Sequence, residues 1–411
     1  MDVVVERCAG LDIHKDTVVA CTLVGPADGR ARKEVRTFST MTSKLCELKA
    51  WLAAQGCTQV GMESTGCYWR PVYEVLESGP FELVVGNAQH MKNVPGRKTD
   101  VKDAEWIARL IRMGLVHKSF VPPREQRERR DLVRYRKSLI RTRTDERNRL
   151  QKLLQTANIK LGSVASDVFG MSGTRMLEAL AAGEVDPATL ADLALGHLRE
   201  KRPALIQALS GRVGDHHRAM LKIQLARLER MDEDIKTVEA EIERRLEPYR
   251  PQRQLLMTIP GIKGTVAAGV LAEIGPHVDT FPSDRHLCAW AGLAPGNNES
   301  AGKKLGGRAR KGNLFVKGLF IEAAQTAIRK KGSYLRNKFH RLKARRGYMK
   351  ALIAIARKLC VATFHILKRG VAFKDLGEQY LDLAEKKRTT RSLVRRLEQI
   401  GWGVSLTAAQ G

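Results

Sequence analysis

Asp12 and Glu63 each close a short apolar run, and Asp100 and Asp103 open a helical pattern. The last two stand three residues apart, which puts them on one helical face. Adjacent strands of one sheet would bring Asp12 and Glu63 together, and the following helix could pack beside them. Four gathered carboxylates repel one another unless cations neutralise them. Their hard oxygens suit Mg²⁺ or Mn²⁺. Two such ions about 4 Å apart clamp the attacking and leaving oxygens of a phosphodiester. Each acid also has a plainer reading: Asp12 as a strand end, Asp100 as a helix N-cap. Arg97, Lys98 and Lys102 beside them either meet phosphate or balance charge.

A second cluster lies in GNNESAGKKLGGRARKGN, which reads as a glycine-rich basic loop of 18 residues, 296–313. Its glycines permit close backbone approach, and Lys303, Lys304, Arg308, Arg310 and Lys311 supply charge for phosphate. Ser300 stands at the start of that positive field. A serine hydroxyl is a weak nucleophile until a base or strong local charge activates it, and taken alone Ser300 reads as a turn residue. Upstream, LLMTIPGIKGTVAAGVLAEIG resembles a helix-hairpin-helix, with Lys263 where a second glycine is usual. Such a turn offers backbone N–H groups to phosphate; the plain alternative is a packing unit.

Positioning these groups requires a sheet. CAGLDIH, TVVACTLV and EVRTFS read as three strands, and QVGMES and ELVVGN as two more, with helices over 42–54, 68–76 and 101–113. A three-stranded meander followed by αβαβα is the order of a ribonuclease-H-like fold. Val121-Pro122-Pro123 then punctuates the chain. Residues 124–154 read as one long helix with twelve basic residues between 124 and 152, Arg134 and Arg141 among them. From Leu221 to Leu246 apolar residues recur at three- and four-residue steps, a stripe for a bundle core or a dimerisation arm. The expected class is α/β plus α, divided at 1–120, 121–250, 251–370 and 371–411, the last a helical tail.

Composition narrows the function. The 72 Lys+Arg against 44 Asp+Glu leave +28, yet residues 1–123 hold only +2 of it. Between 303 and 350 stand 16 basic residues and one acid, Glu322. Such a stretch repels itself unless a polyanion lies against it, which points to nucleic acid over a solvated face or an acidic membrane. With 43% hydrophobic residues, global disorder is excluded. At 5% aromatic content, base stacking is not the dominant design. No apolar run suits a membrane span and no secretory signal is evident. Seven cysteines without a CxxC argue for a reducing cytoplasm.

GLDIHK (10–15), MESTG (62–66), KTDVKDAEW (98–106), IPGI (259–262) and GLAPGNNESAGKKLGG (292–307) occur in one chain and in this order. Together they resemble the DEDD-type insertion-sequence transposases of the insertion sequence one-ten family, akin to the pilin-gene invertase. The resemblance implies a RuvC-like first domain, a coiled-coil segment and a mostly helical C-terminal transposase domain. It implies Asp12, Glu63, Asp100 and Asp103 as metal-binding acids and Ser300 as a nucleophile that forms a transient phosphoserine link to DNA. It also implies a structured bridge RNA pairing with donor and target DNA. A dimer or tetramer is implied, with one subunit's acids joined to another's serine, acting at the bacterial nucleoid. A metal-dependent nuclease or junction resolvase using the acids alone is the alternative, and a non-catalytic nucleic-acid-binding protein is a third reading.

Overall fold

The computed structural model describes residues 3–92, 94, 103–296, 298–300, 303–306, 312–384 and 386–407. Of residues 89, 92, 298–300, 303–306, 382, 384 and 387–389 it describes the backbone only. The chain divides into two units, Met1–Pro122 and Pro123–Gly411.

In the first unit, β1 (Arg7–Ile13), β2 (Thr17–Val24) and β3 (Arg32–Ser39) form an antiparallel meander. Helix α1 (Thr42–Ala54) leads to β4 (Gln59–Glu63), and α2 (Trp69–Leu76) to β5 (Glu82–Gly86). The short α3 (Ala88–Lys92) and then α4 (Asp103–Arg112) follow. The sheet order is β3-β2-β1-β4-β5, with β1, β4 and β5 parallel. Central β1 is covered on both faces, so its middle, Cys8 to Leu11, is a continuous buried apolar run instead of alternating. Ala9 and Leu11 pack with Leu48, Leu52 and Val72 of α1 and α2. Cys8, on the other face, packs with Ala104, Ala108 and Ile111 of α4. Edge strand β3 carries Arg32, Lys33, Glu34 and Arg36 on largely exposed positions, which discourages further strand pairing. Burial pushes the Cys8 thiol up to about 12 and those of Cys21 and Cys57 up to about 11, while Cys46 and Cys67 are exposed.

The second unit opens with α5 (Arg124–Thr156), at 33 residues about 50 Å long. After α6 (Leu161–Val164), α7 (Met171–Ala182), α8 (Pro187–Asp192) and α9 (Arg202–Leu209), the chain returns along α10 (Asp215–Leu246). Ion pairs Glu128–Arg245, Arg136–Glu239, Arg143–Asp232 and Glu146–Arg227 tie α5 to α10. One number rises as the other falls, so the two helices are antiparallel. The apolar stripe of α10 thus finds a partner within its own chain, and Leu221 and Leu228 join a cluster with Leu150, Leu154 and α7–α9.

Helices α11 (Arg250–Met257), α12 (Gly264–Ile274) and α13 (Asp284–Trp290) precede a hairpin of β6 (Asn298–Ser300) and β7 (Lys303–Gly306). This hairpin corrects the expectation of an 18-residue loop over 296–313. Helices α14 (Leu314–Ala327), α15 (Tyr334–Arg346), α16 (Tyr348–Arg369), α17 (Tyr380–Ala384) and α18 (Lys386–Gln399) complete the unit. Among the described residues, no helix is long and apolar enough to cross a membrane.

Candidate functional site

Gly10 of β1 lies beside Gly61 of β4, and Leu11 beside Met62. One step further along this parallel register come Asp12 and Glu63, at the C-terminal ends of neighbouring strands. Side chains alternate along a strand, so Asp12 shares a face with Gly10, and Glu63 with Gly61. That face is the one α4 covers. A Cβ on Gly10 would fall 2.3 Å from the Ala104 carbonyl oxygen and from the Ala108 nitrogen. One on Gly61 would fall 2.4 Å from Ile111 Cγ1. Cys8 Sγ donates to the Ala108 carbonyl oxygen at 3.4 Å, so lower numbers on β1 meet higher numbers on α4. The helix therefore runs against the strand and points its N-terminus, with exposed Asp103 as first residue, toward the Asp12 end. The positive end of a helix dipole favours carboxylates there.

His14 Nε2 lies 3.2 Å from Asp12 Oδ2, and Thr65 donates to Glu63 Oε2 at 3.1 Å. Glu105 is committed elsewhere, held by Lys33 at 3.0 Å and Arg109 at 2.7 Å. Asp100, Lys98 and Lys102 lie outside the described residues. The donors are all carboxylate oxygens, chemistry that fits a hard divalent cation. Two of them share an edge, and among the described residues no group of three or more His, Cys, Asp or Glu is gathered for a metal.

In the second unit, Ser300 is the last residue of β6 and pairs with Lys303 across the hairpin, as Glu299 does with Lys304. Arg308, Arg310 and Lys311 lie outside the described residues. The helix-hairpin-helix-like turn packs inward: Ile259 and Ile262 are buried, and Gly261 has φ +87°. A Cβ on Gly261 would lie 2.1 Å from the Ala323 carbonyl oxygen of α14, so this glycine serves helix packing. Lys263 is exposed at the N-cap of α12.

The basic helix α5 spends much of its charge internally. Arg124, Arg129, Arg130, Arg134, Arg136, Arg143 and Arg149, seven of the twelve basic residues, each meet a carboxylate of the same unit. Arg134 in particular grips Glu273 through two nitrogens. Arg141 stays exposed, as do Arg345, Arg346 and Lys350 near the α15–α16 junction.

A family described as Transposase matches residues 9–159, and the Transposase IS116/IS110/IS902 family matches residues 253–340. The transposase for insertion sequence element IS1111A of Coxiella burnetii is 26% identical over 377 residues, 90% of this chain and 91% of that protein. An IS110 insertion-element protein of Streptomyces coelicolor, described as an uncharacterized 43.6 kDa protein, is 30% identical over 156 residues, 37% of each chain. The chain belongs to the IS110 family of DNA transposases.

The structure of this transposase brings forward four positions beyond the acids, the serine and the basic residues. Gly10 and Gly61 each stand two residues before an acid, in Gly-Leu-Asp and Gly-Met-Glu, and that repeated spacing is a legible signal. Glu273 is the one charged residue in the otherwise apolar α12. Asn313 precedes an apolar helical run and caps it, accepting from the N–H groups of Phe315 and Val316.

Proposed function

We propose that this transposase exchanges DNA strands through a phosphoserine intermediate on Ser300, assisted by Asp12, Glu63, Asp100 and Asp103. The observation that supports this most is the pair Asp12 and Glu63, which end adjacent parallel strands on one face beside the N-terminus of α4. The strand order and mixed directions agree with a RuvC-like, ribonuclease-H-type first domain over 1–120. A helical arm over 121–250, a transposase domain over 251–370 and a helical tail over 371–411 complete the proposed division.

The four acids would hold Mg²⁺ or Mn²⁺, which when bound neutralises charge developing on the scissile phosphate. Ser300 Oγ attacks phosphorus, forming an O–P bond while the bond to the DNA 3′ oxygen breaks and the 3′-hydroxyl leaves with a proton. A 3′-hydroxyl of a second strand then attacks the phosphoserine, and the serine hydroxyl is restored. Each step exchanges one phosphoester for another, so no nucleotide cofactor is needed. The basic residues Lys98, Lys102, Arg141, Lys263, Lys303, Lys304, Arg308, Arg310 and Lys311 contact nucleic-acid backbone. A structured non-coding RNA pairs with donor and target DNA and carries the choice of sequence. The protein acts as a dimer or tetramer in the bacterial cytoplasm, at the nucleoid.

The test is a denaturing gel of protein mixed with Mg²⁺, RNA transcribed from the flanks of its gene and labelled element-end DNA. A covalent protein–DNA adduct is expected for the wild type and neither for Ser300→Ala nor for Asp12→Ala. Cleavage without adduct, unchanged by Ser300→Ala, would establish a hydrolytic nuclease instead.

A further inference from the structure

We propose that Glu273 is a positioning residue for the hairpin that carries Ser300, holding both ends of that segment from inside the second unit. The inference rests on the reading of Ser300 as nucleophile.

The Glu273 side chain is 0% exposed. A lone carboxylate so placed would cost several kcal/mol. Here Arg134 Nε donates to one oxygen at 2.6 Å and its Nη2 to the other at 3.0 Å. Arg130 Nε lies 3.4 Å from the second oxygen, and Arg130 and Gln126 both donate to the Glu273 backbone carbonyl.

Two further contacts lead to the hairpin. Downstream of it, Asn313 Nδ2 donates to Glu273 Oε2 at 2.7 Å. Upstream, the Arg130 guanidinium lies over the Trp290 ring, 5.6 Å from its centroid. The two ends are themselves locked together. The Asn313 N–H donates to the Trp290 carbonyl at 2.9 Å. A Cβ on Gly312 would fall 2.4 Å from the Gly292 nitrogen and 2.6 Å from the Trp290 oxygen. Residues 290–292 and 312–313 thus form a neck, and β6 and β7 lie between its two sides.

Stability alone is a poor reason for such a cluster. Well-packed apolar residues of similar volume generally hold a core as well as a buried ion network does. A charge network with several fixed hydrogen bonds adds direction, and direction is what a nucleophile needs. Misplacing a reacting group by about 1 Å can cost about a hundredfold in rate. Asn313 joins the two functions, since its Oδ1 caps α14 while its Nδ2 grips Glu273.

The test uses the full chain with Mg²⁺, guide RNA and labelled element-end DNA. It follows the rate of serine-linked adduct formation, the DNA affinity and the melting temperature. Asn313→Ser keeps an oxygen to cap α14 but loses the amide donor. The adduct rate should fall about tenfold while affinity and melting temperature stay at wild-type values. Asn313→Asp, which sets two carboxylates face to face, should be slower still. Adding Glu273→Gln to it restores one amide against one carboxylate, and should recover the rate at least to that of Asn313→Ser. An unchanged rate in Asn313→Ser overturns the proposal. So does a rate loss that only tracks a lowered melting temperature and is matched by Ser333→Ala, which removes the cap of α15 in the same unit. A wild type that forms no adduct removes the Ser300 reading, and this proposal with it.

Discussion

Gly10 and Gly61 set how closely α4 can approach the two strands that carry Asp12 and Glu63 near their C-terminal ends. Hydrogen is the only side chain that fits at Gly10, because backbone atoms of α4 occupy the space a methyl group would need. Gly10→Ala must therefore push the helix away or strain the strand. It should destabilise the first unit by about 1–3 kcal/mol, read as a lowered melting temperature, and reduce strand cleavage by displacing the helix that begins at Asp103. Asp12→Asn provides the contrast. Its side chain is partly exposed and of nearly equal volume, so melting should stay close to wild type while cleavage is lost. These acids were legible because each ends an apolar run. Asp103 was legible from helical spacing. Glu273 was not, since one acid inside an apolar helix carries no motif and its arginine partners lie more than a hundred residues away, on α5.

At the scale of elements, periodicity foretold the strands and long helices, because burial on one face leaves a repeat in the sequence. It did not foretell which face α10 would cover. Nor could counting charge show that α5 is answered by α10, a fact that resides in pairing across 81 to 117 positions. The β6–β7 hairpin escaped notice because glycine and lysine disfavour strands and the segment reads as a loop. The α5–α10 pairing has a pH signature. The Arg245 guanidinium, with help from Arg124, holds the Glu128 carboxyl below the usual carboxylate range. Within α10 itself, Arg244 and Arg245 hold Glu241 down at about 2. A depressed folded pKa gives stability that is present above the unfolded value, near 4.3, and lost as pH falls through the folded one. Glu128→Gln should melt slightly lower than wild type at neutral pH, by no more than about 1 kcal/mol for a pair this exposed. The two melting curves should converge as the solution is acidified below about pH 4.

Over the whole molecule, the excess of +28 is carried almost wholly beyond residue 123. Binding to nucleic acid should then weaken steeply with salt. Replacing Arg345, Arg346 and Lys350 by Ala should flatten that dependence by about one unit of slope per lost phosphate contact. Arg136→Gln should leave the slope alone and lower the melting temperature, because Arg136 is already paired with Glu239. Filter binding across a salt series separates the two kinds of arginine. The seven cysteines are distributed just as unevenly: five are buried, and only Cys46 and Cys67 face solvent. A maleimide should add twice to the native chain and seven times after denaturation, as counted by mass spectrometry. Cys67 follows Glu63 by four residues, in the turn that leaves β4. Once Cys46 is replaced by Ser, a fluorophore attached there would sit close to the carboxylate edge and report the arrival of DNA.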